Sequence, residues 1–312
     1  MRCLYCYQPL PEKEVDFHAS CSKKIFGTPT PPELPYDENQ MSSLALKIVQ
    51  SQITVTGVQP KLSLNLTGGK SKTEPKRFTI VGLWGNYILK PATDQYPQMP
   101  EVEDLTMHLA EIAKINVVPH SLIRLNTGQL AYITKRIDRA SNHKLHMEDM
   151  CQLTERQTEH KYHSSYEQVA KALLKYSVSP GLDLVNFAEI LIFSFLTGNA
   201  DMHLKNFSLI YDSQNGPVLS PAYDLLSTFL VNPKDDEDLA LTLNGKKKRL
   251  KRHDFESAFS NMRLDSRQQT NIFAKMENVQ SKWLEFIQIS FLTPDFKEKF
   301  RELINERFDR LK

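Results

Sequence analysis

The apolar positions of the chain change period along its length, and each change predicts a different kind of element. Leu62, Leu64 and Leu66 alternate with Ser63 and Asn65, the two-residue period of a half-buried strand. Ile53-Thr54-Val55 precedes them as a further strand, and Thr67-Gly68-Gly69-Lys70 follows as a turn. Short apolar runs at 78–81 and 87–90 predict two more strands. Over 101–114 the period becomes helical, with Leu105, Leu109, Ile112 and Ala113 on one side. Strands at 121–125 and 130–134 then flank Asn126-Thr127-Gly128, a hairpin turn.

Beyond Arg139 helical periods predominate, at 147–154, 166–175, 182–197, 252–259 and in several later segments. One hairpin interrupts them, with strands at 207–211 and 218–219 around Asp212-Ser213-Gln214-Asn215-Gly216. The expected fold class is α+β: a small β-rich lobe over 36–138 followed by a larger helical lobe over 139–312. That is the two-lobed division a protein kinase has. Residues 1–35 read as a separate small unit. Prolines 29, 31, 32 and 35 can continue neither a helix nor a central strand, so its end reads as an extended linker.

Composition narrows the function classes. The 312 residues are 40% hydrophobic and 24% charged, as in an ordinary globular protein. A net charge of +2 makes no global case for nucleic acid or a membrane surface. An acidic run at 235–238 precedes a basic cluster at 246–252; both read as solvated surface, with a phosphate- or partner-facing patch as the alternative. No run approaches the roughly 18 apolar residues of a membrane span. The N-terminus lacks the apolar segment of a secretory signal. A bacterial cytoplasmic location is therefore expected, although an effector exported through other signals reads the same.

Cysteine spacing adds a candidate metal site. Cys3-x2-Cys6 and His18-x2-Cys21 supply four soft ligands, enough to close a structural zinc tetrahedron. Reduced, metal-free side chains are the alternative. Cys151 lies on a predicted helix and reads as packing.

The strongest chemical constellation runs from Asp201 to Asn206, between a long apolar helix and a strand. Phosphoryl transfer to a hydroxyl needs a carboxylate that orients the nucleophile and accepts its proton, and oxygen ligands for Mg²⁺. Asp201 lies five residues before Asn206, the spacing of a kinase catalytic loop, and Asp224 follows the next hairpin as a second metal carboxylate. Taken singly, Asp201 reads better as a loop-capping residue and Asp224 as a helix N-cap; it is the ordered set, with a hairpin between, that favours catalysis. Lys205 is a cation in reach of the transferred phosphoryl group, and His203 either holds the loop or joins the nucleotide contacts. Gly57 and Val58 open a loop suited to nucleotide phosphates, with Lys61 just beyond; a bare hairpin turn is the alternative. Lys90 ends an apolar strand and needs a partner if buried. Glu103 fits that role, as in the lysine–glutamate pair of kinases, with Glu101 competing and an exposed strand-end lysine as the alternative.

With these residues in view, the chain resembles the HipA family of bacterial toxin kinases. The matching stretches are 54–61, 87–90, 135–139, 146–152, 201–206 and 222–224, in the family's order. The resemblance implies a two-lobed kinase fold, ATP with Mg²⁺, and transfer to serine or threonine. It implies that Lys90 contacts phosphates, Asp201 is the base, Asn206 and Asp224 bind metal, and Lys135 to Ile137 meets adenine. The family also phosphorylates a serine in its own glycine loop, where Thr54 and Thr56 stand here.

Two departures qualify the match. Leu225-Leu226 follows Asp224 in place of Phe-Gly, so no activation-loop switch is assumed. The chain also has no room for the extra N-terminal subdomain of longer members. The resemblance therefore implies a short form, with a small antitoxin resembling that subdomain and a DNA-binding antitoxin as partners. By family, the protein substrate is an aminoacyl-tRNA synthetase. Three other functions compete: an inactive kinase-fold binding module or corepressor, a small-molecule kinase, and a zinc-dependent nucleic-acid binder. Phosphate on Thr54 or Thr56 would favour the protein kinase over the first two, whereas a salt-dependent shift on RNA or DNA that survives Asp201→Asn would support the third.

Overall fold

The computed structural model describes residues 1–37, 40, 43, 61–68, 76–81, 84–140, 143–212, 216–234 and 236–312. The strand expected at 53–55 lies outside these residues. The described chain divides into two compact units. One comprises Met1–Asp104, Val118–Ile137 and Ile289–Phe291; the other comprises Leu105–Val117, Asp138–Gln288 and Leu292–Lys312.

The first unit is built on an antiparallel sheet of β1 (Leu62–Thr67), β2 (Arg77–Ile80), β3 (Tyr87–Lys90), β4 (His120–Arg124) and β5 (Leu130–Lys135), in the order β2-β1-β3-β5-β4. The leucine alternation fixes the register, because a slip of one residue would turn Leu62 and Leu64 to the wrong face. Both are fully buried, and Leu62 pairs with Leu89 while Leu64 pairs with Ile80. A single short helix, α1 (Ala19–Phe26), forms in the N-terminal segment. Phe26 meets Phe78 edge-to-face at 5.6 Å, and the Tyr87 hydroxyl donates to the Ile25 carbonyl at 3.1 Å. The proline-rich stretch runs extended beside β2, where the Phe78 N–H donates to the Glu33 carbonyl at 2.9 Å.

Helix α2 (Met99–Ile112) contributes its first residues to the first unit and the rest to the second. In the second unit a two-residue ladder, β6 (Arg139–Ala140) with β7 (His143–Lys144), precedes β8 (Met147–Asp149). The helix expected over 147–154 is corrected here. Met147 to Asp149 instead pair with Ile210 to Ser208, and only one turn, α3 (Met150–Leu153), follows. A reciprocal capping box between Asp149 and Gln152 starts that turn and ends the strand.

Helices α4 (Tyr166–Tyr176) and α5 (Pro180–Leu196) come next, then β9 (Ser208–Asp212) and β10 (Gly216–Leu219), which pair antiparallel. The remaining helices are α6 (Thr228–Val231), α7 (Arg252–Asn261), α8 (Ser266–Glu277), α9 (Gln280–Gln288) and α10 (Pro294–Arg310). α5 is apolar almost all round and its C-terminal half is buried, as expected of a helix at the centre of a core. Its Phe193 meets Trp283 edge-to-face at 5.4 Å, and the Trp283 indole N–H donates to the Leu109 carbonyl at 2.8 Å. No described helix is long and apolar enough to cross a membrane.

The charged runs do more than face solvent. Lys247 pairs with Glu237 at 3.3 Å, Lys248 pairs with Asp236, and Lys246 reaches Asp254 at 2.7 Å. Asp238 is only 4% exposed and is held by Arg307 and Arg310. The surface expectation therefore fails at Asp238, because two arginines of α10 give its charge a buried partner.

Candidate active site

The site in the second unit begins where α5 stops. Gly198 adopts φ +66°, a left-handed conformation that turns the chain out of the helix. A Cβ there would lie 3.0 Å from Phe229 Cβ and 2.8 Å from Leu303 Cδ2. The Gly198→Ala variant is therefore expected to lose about 1–2 kcal/mol. At about 2–4 °C per kcal/mol, the melting temperature should fall by several degrees in a thermal denaturation scan. An unchanged midpoint would contradict the strain.

The loop after Gly198 is tied by its own backbone and by α6. The Thr228 hydroxyl donates to the Gly198 carbonyl at 3.2 Å and accepts the Ala200 N–H at 2.8 Å. The Asp201 carbonyl accepts the His203 N–H at 2.8 Å and the Asn206 side-chain amide at 2.9 Å. Because the Asn206 nitrogen is engaged there, its Oδ1 is the atom left to ligate a cation. The half-buried Asp201 carboxylate accepts a hydrogen bond from the Tyr162 hydroxyl at 2.5 Å.

His203 is buried and meets the Tyr162 ring edge-to-face, with centroids 4.9 Å apart. Burial pushes its imidazole down to about 4, against the pull of the Asp201 and Asp224 carboxylates. It is thus neutral at physiological pH and packs within the loop. Lys205 extends from the same turn, its ammonium 3.4 Å from the Thr158 hydroxyl. The Tyr223 hydroxyl donates to the Lys205 carbonyl at 3.1 Å and so ties the loop to the residue before Asp224.

Asp224 lies beyond the β9–β10 hairpin. The Ala222 N–H donates to the Asn116 carbonyl at 2.8 Å and fixes the approach. Asp224 itself has φ +56°, whereas Ser227 is the residue that precedes α6. The N-cap alternative for Asp224 therefore does not hold. A non-glycine residue in the left-handed region persists only where its surroundings hold it, and such residues cluster at functional sites. Asn206 and Asp224 present hard oxygen donors, the type Mg²⁺ selects, and few protein ligands suffice for it.

In the first unit, Lys90 and Glu103 are 3% and 0% exposed and form an ion pair. The Lys90 ammonium also lies 5.4 Å from the centre of the Tyr132 ring. The structure thus pairs Lys90 with Glu103 in preference to Glu101, whose carboxyl is pushed up by burial. Lys61 is exposed at the start of β1, and Lys135 is exposed at the end of β5. Ile137 is half-buried and ends the Val118–Ile137 segment of the first unit. Thr54, Thr56, Gly57 and Val58 lie outside the described residues. Cys3, Cys6, His18 and Cys21 come together, with all donor atoms within 4.8 Å of one another.

With this geometry in hand, comparison with known proteins is decisive about family. Residues 53–283 match the HipA-like C-terminal domain. The chain belongs to this family. A Haemophilus influenzae relative named "Putative kinase" is 29% identical over 208 residues, 63% of this chain and 58% of the relative. The serine/threonine-protein kinase toxin HipA of Shewanella oneidensis is 27% identical over 201 residues, 56% of this chain and 43% of that protein. The chain spans about half the length of the curated relatives it matches. The structure of Shewanella oneidensis HipA with HipB and operator DNA superposes with a TM-score of 0.68 at 21% identity, over 83% of this chain and 65% of that one. The HipA-like fold, an antiparallel sheet unit and a helical unit, is therefore shared.

Sequence reasoning missed three contributors to the Asp201–Asn206 loop. Tyr162 meets Asp201 from 39 residues away, and no local pattern signals that contact. Thr228 and Tyr223 act through single hydroxyl groups on backbone atoms. Of these, only Tyr223 had a signal, its place beside Asp224.

Proposed function

We propose that this chain is an ATP-dependent protein serine/threonine kinase, the toxin of a HipA-type toxin–antitoxin system. The observation that carries the reading is the Asp201–Asn206 loop. One side chain anchors the backbone of the other, and a carboxylate in left-handed backbone follows the next hairpin. In this reading Asp201 accepts the proton of the attacking hydroxyl and Lys205 faces the transferred phosphoryl group. Lys90, steadied by Glu103, holds the ATP phosphates, with Gly57, Val58 and Lys61 beside them and Lys135 to Ile137 against adenine. Asn206 and Asp224 hold Mg²⁺, which neutralises phosphate charge when bound. His203 supports the loop from beneath.

The proposed protein substrate is a translation component, an aminoacyl-tRNA synthetase, and the chain also modifies itself at Thr54 or Thr56. A phosphate there adds close to two negative charges where ATP phosphates must lie, and so disfavours nucleotide binding. HipA of Shewanella oneidensis is found with HipB and operator DNA, which supports a DNA-binding antitoxin as partner, together with a small antitoxin resembling the N-terminal subdomain of longer relatives. The test treats the full chain with phosphatase, removes the phosphatase, then adds Mg²⁺ and ATP and maps phosphate by intact mass and peptide analysis. Phosphate on Thr54 or Thr56 is expected in wild type and absent in Asp224→Asn. No phosphate in wild type, with no thermal shift on adding ATP, would sink the kinase reading.

A further inference from the structure

We infer that Cys3, Cys6, His18 and Cys21 form a closed, structural zinc site that fastens the N-terminal segment to the sheet unit. The first support is distance. His18 Nδ1 lies 3.4 Å from Cys6 Sγ and 3.7 Å from Cys21 Sγ. Zinc–sulfur bonds of about 2.3 Å and zinc–nitrogen bonds of about 2.0–2.1 Å at tetrahedral angles separate nitrogen and sulfur by about 3.5–3.6 Å. The observed pair brackets that value. Cys3 and Cys21 are buried, and all four cysteines of the chain are free thiols.

The second support is the far side of the imidazole. His18 Nε2 lies 2.9 Å from the Pro9 carbonyl, which can only accept, so Nε2 carries the proton. The Nδ1 lone pair then faces the sulfurs. A metal-bound histidine is held in this way, its second nitrogen donating to a carbonyl that fixes tautomer and ring plane. His18 also occupies the N-cap position of α1 but makes no side-chain capping bond. A poor capping residue at a cap, turned away from the helix amides and towards three thiols, fits a ligand and serves no helix-starting purpose.

The third support is how the ligand loops are held. Between Cys3 and Cys6 the chain forms a tight knuckle. The Tyr7 N–H donates to the Cys3 carbonyl and the Cys3 N–H to the Gln8 carbonyl, each at 2.9 Å, and Tyr7 has φ +62°. The residues between and beside the ligands then reach the sheet. The Leu4 carbonyl accepts the Leu122 N–H at 3.4 Å and the Ser121 hydroxyl at 3.2 Å. The Tyr7 hydroxyl donates to Asp104, whose other oxygen lies 2.7 Å from His120 Nδ1. Arg124 meets Asp16 at 3.0 Å. Four protein ligands leave no position for water, so the metal is structural and takes no part in phosphate chemistry.

The test uses the untagged full chain, purified without chelator, with metal measured by mass spectrometry against protein concentration. One zinc per chain is expected. Cys6→Ser and Cys21→Ser should bring it close to zero, Cys151→Ser should leave it at one, and His18→Cys should retain it because a thiolate replaces the imidazole. Where the serine variants fail to fold, wild type exchanged with cobalt(II) provides a second reading: the visible absorption of tetrahedral, thiolate-bound cobalt. Chelation should also speed hydrogen exchange in residues 1–26 and spare the β9–β10 hairpin. Metal-free wild type whose Cys3, Cys6 and Cys21 are all alkylated rapidly, or cobalt lacking the tetrahedral band, would overturn the site. None of these readouts depends on kinase activity.

Discussion

Replacing Asp201 with asparagine is expected to lower phosphate transfer from ATP by about 10²–10⁴-fold, the range a positioned general base contributes. The substitution is close to isosteric, and the contacts that shape the loop are retained. It is the Asp201 backbone carbonyl that receives the His203 N–H and the Asn206 amide, and a side-chain change leaves it in place. An asparagine Oδ1 can still accept the Tyr162 hydroxyl, so the folded loop and the melting temperature should persist. What is lost is the ability to accept a proton at the attacking hydroxyl. Single-turnover transfer followed by intact mass, together with ATP affinity by calorimetry, separates the two contributions. Affinity should stay within a few-fold of wild type while the rate falls. A variant transferring phosphate within a few-fold of wild type would remove Asp201 from the role of base.

Much of the arrangement that makes this variant informative is local, and local features are what a sequence displays. The leucines at 62, 64 and 66 alternate because one face of β1 is buried, so strand and register could be read directly. The Asp201–Asn206 spacing and the hairpin before Asp224 lie within 24 residues, and turn chemistry marks each boundary. Glu101 and Glu103 could not be separated by position, since both sit in the opening turns of α2. Burial against Lys90 decides between them. Met147 to Asp149 read as helix because a strand pairing with Ile210 to Ser208 depends on residues about sixty positions away. Tyr162 was hidden for the same reason: its meaning lies in a contact made only once the fold has formed. Asp238 is the sharpest case, because an acidic run beside a basic one normally signals solvent.

That buried aspartate carries the largest stability prediction. Asp238 accepts hydrogen bonds from Arg307, Arg310 and the Leu250 N–H, and the side chains of Asp238 and Arg307 are only 5% and 6% exposed. Both guanidinium groups also lie 4.9 Å from the centre of the Phe195 ring, on the last turn of α5 before the Gly198 bend. Asp238→Ala would leave Arg307 buried without its counter-charge, a loss of about 3–5 kcal/mol. The melting temperature should fall by about 6–20 °C.

The pH dependence follows in sign. Burial works to raise the Asp238 pKa, but Arg310 and Arg307 outweigh it and hold the carboxyl below its ordinary value. Stability from a depressed carboxyl is complete above the unfolded value, near about 3.9, and is lost as pH falls through the folded one. Wild type should therefore lose stability more steeply than Asp238→Ala below about pH 4. Parallel slopes for the two proteins would show that Asp238 is not the titrating partner. The two variants should also dissociate cleanly. Asp201→Asn keeps its melting temperature and loses transfer, whereas Asp238→Ala melts early and, below its transition, transfers phosphate at nearly the wild-type rate per folded molecule. A fall in that per-molecule rate would mean that the arginine pair on Phe195 also sets the position of the Asp201–Asn206 loop.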